Sequence, residues 1–229
     1  MENKKEMRQW LTHFGLDHPL VIGGPCSAET EEQVLKIAHE LKDTDVTVYR
    51  AGIWKPRTRP NSFEGLGEEA LPWLIEAGKL TGLPTCTEVA NKQHVEAALK
   101  AGVDVLWIGA RTTVNPFAVQ EIAEAIAGSD VSVMIKNPVN PDLQLWLGAF
   151  ERFEALGIKD LVAIHRGFSV YNHPKYRNVP SWEIPIGLKE LRPDIAIICD
   201  PSHIAGTTEL ISEVSQTALD LGMNGLMIE

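Results

Sequence analysis

The sequence predicts an α/β protein folded as one closed parallel (β/α)8 barrel, and three observations carry that prediction. Short runs of Val, Ile and Leu with little polar alternation recur along the chain, as in strands buried on both faces. Between successive runs lies a stretch of helical periodicity bounded by start or stop residues. The length, 229 residues, suits a single barrel. A doubly wound open sheet is the alternative, but eight strands of such even spacing favour closure.

Residues 1–18 are expected to be an N-terminal extension, with a short amphipathic helix over 4–14 that puts Met7, Trp10, Leu11 and Phe14 on one face. The barrel is expected over 19–229, with strands at 20–24, 46–50, 84–88, 104–109, 131–136, 160–165, 195–199 and 225–229. The helices between them carry start signals. Thr30-Glu-Glu-Gln33 fits a capping box. Asn115-Pro116 and Asn140-Pro141 each place an N-cap before a proline at the first helical position. Gly102, Gly157 and Gly222 are stop signals that lead into the next strand. The chain ends at Glu229, at the end of strand eight, so the eighth helix is expected to be absent from this sequence. Two βα connections are long, 51–67 and 167–180, and long loops on that rim of a barrel usually carry function. No domain boundary, low-complexity tract or linker interrupts the pattern.

Composition narrows the partners. A formal net charge of -10 argues against a nucleic-acid or anionic-membrane binder, since both need net positive fields. The three cysteines, Cys26, Cys86 and Cys199, form no close pair, which points to reduced thiols and a cytoplasmic protein. Cys86 and Cys199 read as core residues. No apolar run is long enough to span a membrane. The Lys/Glu-rich N-terminus has no apolar stretch after it and is not expected to act as a signal peptide.

Against this acidic background, Arg50-Ala-Gly-Ile-Trp-Lys-Pro-Arg-Thr-Arg-Pro60 stands out. It puts Arg50, Lys55, Arg57 and Arg59 on a loop stiffened by Pro56 and Pro60. Cations at fixed spacing suit a ligand with fixed phosphate or carboxylate groups. The other strand ends continue the theme. In order, they deliver Gly24-Pro-Cys26, Arg50, Glu88, Gly109-Ala-Arg111, Lys136-Asn137, His165-Arg166-Gly167, Asp200-Pro-Ser-His203 and Glu229. Catalysis in such barrels sits at that rim.

These groups sort into two chemistries. Arg50, Lys55, Arg111, Lys136 and Arg166 would converge on one cavity and repel each other unless an anion fills it, although some would pair with Glu88 or Asp200. Cys26, His203 and Glu229 come from strands one, seven and eight, which closure makes neighbours. A thiolate, an imidazole and a carboxylate suit a first-row divalent metal of the Mn, Fe, Co or Zn class, with a position left for water or substrate.

Taken together, Gly24-Pro-Cys-Ser27, Lys55-Pro-Arg-Thr58, Gly109-Ala-Arg-Thr-Thr113, Lys136-Asn137, His165-Arg-Gly167, Asp200-Pro-Ser-His203 and Gly225-Leu-Met-Ile-Glu229 resemble the 3-deoxy-D-arabino-heptulosonate-7-phosphate (DAHP) synthases, most closely the shorter bacterial and archaeal branch. The resemblance runs from about Val21 to Glu229. It implies an aldolase-type TIM barrel that condenses phosphoenolpyruvate with erythrose 4-phosphate, the first step of the shikimate pathway. It implies that Arg50, Lys55, Arg111, Lys136 and Arg166 hold phosphoenolpyruvate. Pro56, Arg57 and Thr58 would hold erythrose 4-phosphate, and Asp200 is grouped with the substrate-binding residues. Cys26, His203 and Glu229 would bind the metal, with a fourth ligand, an aspartate after strand eight, lying beyond the last residue. Lys136 or Lys55 would transfer protons, Glu88 would position water, and His203 counts as catalytic. A homo-oligomer and a fused or associated chorismate mutase domain are further family expectations.

Three other readings stand beside this one. The related 3-deoxy-D-manno-octulosonate-8-phosphate synthases typically carry a Lys-Ala-Asn-Arg type sequence where this chain has Lys55-Pro56-Arg57-Thr58. A sugar-phosphate lyase or isomerase would need a Schiff-base lysine or an acid/base pair and would not need Cys26. A non-catalytic regulatory or partner subunit would bind phosphoenolpyruvate, if at all, without turnover.

Overall fold

In a computed structural model of the chain, residues 19–57, 59 and 61–229 are described. The expected helix over 4–14, and Thr58 and Pro60 in the basic loop, lie outside those residues.

Eight parallel strands close on themselves in sequence order: β1 (Leu20–Gly23), β2 (Val48–Arg50), β3 (Thr85–Val89), β4 (Val105–Ile108), β5 (Ser132–Lys136), β6 (Leu161–His165), β7 (Ala196–Cys199) and β8 (Gly225–Ile228). The closing seam pairs Leu20 with Gly225 and Gly23 with Ile228. The helices are α1 (Glu31–Leu41), α2 (Leu71–Thr81), α3 (Lys92–Ala101), the short α4 (Ala110–Thr113), α5 (Pro116–Ile126), α6 (Leu143–Ala155), α7 (Glu183–Leu191), the short α8 (Pro201–Ala205) and α9 (Ile211–Asp220).

Strand alternation divides the core in two. Ile22, Val48, Cys86, Val105, Trp107, Met134, Val162, Ile164, Ile198 and Met227 fill the barrel interior as one cluster. The intervening residues, among them Tyr49, Leu106, Val133, Ile135 and Ala163, face the helices and pack with Val34, Leu74, Ile122, Trp146 and Phe150. Because side chains repeat every second residue, the next inward position after each apolar layer is fixed. It is Arg50 on β2, Glu88 on β3, Lys136 on β5, Arg166 beyond β6, Asp200 beyond β7 and Glu229 beyond β8. The pleat that buries the apolar layer thus also builds a polar one above it.

The local signals account for most helix ends. Thr30 Oγ1 accepts from Gln33 N at 3.1 Å, but Gln33 Oε1 reaches back to Glu29 N at 2.9 Å, one residue beyond the expected capping box. Asn115 caps α5 by accepting from Phe117 N and Ala118 N. Gly102, Gly157 and Gly222 all take positive φ at helix ends.

Two expectations need correction. The cap of α6 is Asp142, not Asn140: Asp142 Oδ1 accepts from Leu145 N at 2.9 Å, and a carboxylate suits the positive end of the helix. Strand two begins at Val48 rather than residue 46. There the Thr47 hydroxyl both donates to Val21 O (2.8 Å) and accepts from Val21 N (3.2 Å), taking up ladder positions with a side chain.

Candidate active site

Gly24 begins the loop after β1 with φ +147, and any Cβ there would collide with the Arg50 carbonyl. That close approach lays the Cys26 loop against the end of β2. Arg50 Nη2 then donates to Cys26 O at 3.2 Å. Lys55 Nζ donates to the same carbonyl at 2.6 Å and stands 3.0 Å from Cys26 Sγ. The loop that carries Lys55 is tied down by Lys55 N donating to Glu64 O, and by Ile53 N donating to the Thr87 hydroxyl.

Trp107 floors the inward polar layer. The Arg50 guanidinium lies 4.8 Å and the Lys136 ammonium 5.8 Å from its ring centroid, within cation–π range. Its indole N–H donates to Glu88 Oε2 at 3.1 Å. Gly109 is required here, because a Cβ would run into the Glu88 carboxylate.

Carboxylates pair with two of the buried cations. Arg50 Nη1 is 3.1 Å from Glu229 Oε2, and Lys136 Nζ donates to Asp200 Oδ2 at 2.7 Å. Burial works against the charge on Arg50, but Glu229 and then Asp200 outweigh it and raise its pKa. Burial likewise opposes ionised Asp200, yet His203 and Lys136 hold its carboxyl well below the usual range. Glu229 is also held low, by Arg50 and His203 against burial. Asp200 favours a proton on His203, but burial and the Lys136 ammonium prevail and depress the imidazole.

Arg166 has a different balance. Burial lowers its pKa to about 10; Asp200 opposes this, while Arg111 and Arg177 push the same way. Its Nη1 donates to Asn178 Oδ1 at 2.8 Å, and its backbone N–H donates to Asn137 Oδ1 at 2.7 Å. Arg111 stands exposed on α4. Five cationic heads (Arg50, Lys55, Arg111, Lys136, Arg166) against three carboxylates (Glu88, Asp200, Glu229) leave a local positive surplus in a protein of net charge -10. That surplus suits a small anion.

The structure gathers the expected residues unevenly. Arg50, Glu88, Lys136, Asp200 and Glu229 share the inward layer, and Lys55 reaches it through Cys26. Asp200 was expected among the substrate-binding groups. It has no exposed surface and contacts Lys136 Nζ at 2.7 Å and the His203 imidazole at 2.9 Å. Arg57 is exposed, with its Nε donating to Phe63 O at 3.0 Å, and Pro56 is half-buried beside it. Of the three expected metal ligands, His203 Nδ1 lies 3.5 Å from Glu229 Oε1, while Cys26 Sγ is engaged by Lys55. Among the described residues, no three His, Cys, Asp or Glu side chains are grouped closely enough to hold a metal ion as they stand. Arg50 stands 3.1 Å from Glu229 and, with Lys55, donates to the Cys26 carbonyl.

Sequence reasoning missed Trp107 and Asn178, and it named Asn137 only beside Lys136, without a role. A lone tryptophan in the aliphatic run Val105–Ile108 was a usable signal for the first. Asn137, fully buried, sits next to Lys136 and donates to Gly167 O. Asn178 carries no local signal, as it meets Arg166 only because the loop folds back. Cys86 and Cys199 are buried, as expected, and burial pushes both thiols up, Cys86 to about 12. No helix among the described residues is long and apolar enough to cross a membrane.

Comparison with known proteins agrees with the fold. The profile of the DAHP synthetase I family matches residues 5–229. Phospho-2-dehydro-3-deoxyheptonate aldolase of Thermotoga maritima is 30% identical over 210 residues, covering 91% of this chain and 60% of that protein. The crystal structure of the Thermotoga maritima DAHP synthase superposes with a TM-score of 0.79 at 27% identity, covering 92% of this chain and 59% of the other. The chain thus spans about three-fifths of the length of those relatives. A 2-dehydro-3-deoxyphosphooctonate aldolase of Acidithiobacillus ferrooxidans is 26% identical over 234 residues, covering 94% of this chain and 80% of that protein. With its closed barrel and inward ring of charge, this chain belongs to the DAHP synthetase I family.

Proposed function

We propose that this chain condenses phosphoenolpyruvate with erythrose 4-phosphate and water to give DAHP and inorganic phosphate. The observation that carries the proposal is the positive surplus above Trp107, in a protein that is acidic overall. In this reading Arg50, Lys55, Arg111, Lys136 and Arg166 hold the phosphate and carboxylate of phosphoenolpyruvate, with Arg forks fitting either group. Pro56, Arg57 and Thr58 hold erythrose 4-phosphate. C3 of phosphoenolpyruvate attacks the aldehyde carbon, water adds at C2, and phosphate leaves. Lys136 or Lys55 moves the proton, and Glu88, fixed by the Trp107 indole, positions the water.

Cys26, His203 and Glu229 would hold a divalent metal. Two observations support the fit: the thiol, imidazole and carboxylate donor chemistry, and the 3.5 Å approach of His203 Nδ1 to Glu229 Oε1. When bound, such an ion supplies Lewis-acid polarisation of the aldehyde. Cys26→Ala is expected to lose Mn2+ binding, followed by electron paramagnetic resonance, while phosphoenolpyruvate still binds. Unchanged Mn2+ affinity would refute the ligand assignment.

A second reading is supported by the similar 2-dehydro-3-deoxyphosphooctonate aldolases. By carbon balance, an eight-carbon product requires a five-carbon aldose phosphate as acceptor. Phosphate release from phosphoenolpyruvate with Mn2+ and each acceptor separates the two. The DAHP reading predicts turnover with erythrose 4-phosphate and much less with the five-carbon sugar. The opposite preference favours the second reading, and phosphoenolpyruvate binding without turnover favours a non-catalytic subunit.

A further inference from the structure

The loop between β6 and α7 returns across the site, and one side chain on it touches both chemistries. Asn178 is buried, with 5% of its surface exposed. Its Oδ1 accepts from Arg166 Nη1 at 2.8 Å, and its Nδ2 donates to the His203 carbonyl at 2.6 Å. The backbone around it is pinned. Arg177 N and Asn178 N both donate to Ile204 O, at 3.0 and 3.3 Å, and Phe168 and Val179 exchange backbone hydrogen bonds at 2.8 Å. One face of the loop is thereby fastened to α8, which carries His203, and the other to the segment that leaves β6 with Arg166.

The partners fix which way the amide points. A guanidinium N–H can only donate and a carbonyl oxygen can only accept. An amide satisfies both at once. A carboxylate would satisfy Arg166 but set oxygen against oxygen at His203, and would add negative charge where an anionic ligand is to bind. Among the described residues, the Arg166 side chain otherwise donates to the Gly167 carbonyl at 3.3 Å.

We propose that Asn178 is a positioning residue that couples Arg166 to the helix bearing His203, so that the anion-gripping half and the metal-binding half of the site are set together. This rests on the reading that Arg166 grips phosphoenolpyruvate and His203 serves the metal. Loss of one charge-assisted hydrogen bond is worth about tenfold in affinity. Asn178→Ala is therefore expected to weaken phosphoenolpyruvate about tenfold and to weaken Mn2+. Asn178→Asp adds the charge penalty and weakens phosphoenolpyruvate at least as much.

The test follows phosphoenolpyruvate through quenching of intrinsic tryptophan fluorescence, Mn2+ by electron paramagnetic resonance, and KM for each substrate. With Mn2+ held saturating, a coupling role raises KM for phosphoenolpyruvate while leaving that for erythrose 4-phosphate within about twofold, whereas general loosening moves both. Folded variants that keep wild-type affinity for either phosphoenolpyruvate or Mn2+ overturn the proposal. Should both variants unfold, the wild-type protein decides. Its Asn178 side-chain amide signal is expected to shift by NMR when phosphoenolpyruvate is added and again with Zn2+, and a signal that ignores both overturns the proposal. Failure of the wild-type chain to bind phosphoenolpyruvate at all would instead overturn the functional reading.

Discussion

Replacing Lys136 by methionine tests whether the polar layer holds the fold together or strains it. Lys136 is buried, and its ammonium sits 2.7 Å from an Asp200 carboxylate with no exposed surface. Removing one partner of a buried pair costs about 3–5 kcal/mol, because the other charge stays behind undersolvated. Asp200 keeps the His203 backbone N–H at 3.0 Å and the imidazole at 2.9 Å, so the lower end, about 3 kcal/mol, is expected. For a domain of this size that corresponds to a fall in Tm of roughly 6–12 °C. Urea and thermal unfolding of wild type, Lys136→Met, Asp200→Asn and the double variant form a cycle, in which the double variant should lose less than the sum of the singles. If Lys136→Met melts at or above the wild-type temperature, repulsion among the cations outweighs the Asp200 pair, and the account of charge balance in the site is wrong.

Other expectations follow from the same contacts. His165 points away from the barrel interior, is fully buried beside Phe168 and Trp182, and burial lowers its pKa from 6.5 to about 3, with the Arg166 charge adding to the effect. The unfolded chain therefore takes up the proton first, and stability contributed by this group is complete above pH 6.5 and declines as pH falls toward about 3. The loss is about 1.4 kcal/mol per pH unit within that window. Unfolding free energies measured from pH 6 to 5 should fall more steeply in wild type than in His165→Phe, and equal slopes would refute it. Gly109→Ala should displace Glu88 from the Trp107 indole, lowering turnover at least tenfold with stability reduced by about 1–3 kcal/mol. Wild-type kinetics in that variant would show that Glu88 needs no fixed position.

Much of this arrangement was legible in the sequence because period-two alternation links the apolar layer to the residue above it. Once Val48, Cys86, Met134, Ile198 and Met227 face inward, Arg50, Glu88, Lys136, Asp200 and Glu229 must follow. Caps with a single local donor and acceptor, such as Asn115, were equally readable. What could not be read depends on which of several possible partners wins. Asn140 and Asp142 both offer capping oxygens, and only the chain path selects Asp142. The pairing of Asn178 with Arg166 spans 12 residues of irregular loop, where no periodicity constrains the side chain. Cys26 sits where closure puts it, yet its sulfur is engaged by Lys55, a competition between neighbours that strand order does not encode.

Calorimetric titration of phosphoenolpyruvate into the metal-free chain tests the central claim most directly. The account predicts one site per chain in the micromolar range, weakened by added salt as charge pairing requires, and lost in Lys136→Met. Absence of heat up to millimolar ligand, or affinity unchanged in that variant, would contradict it.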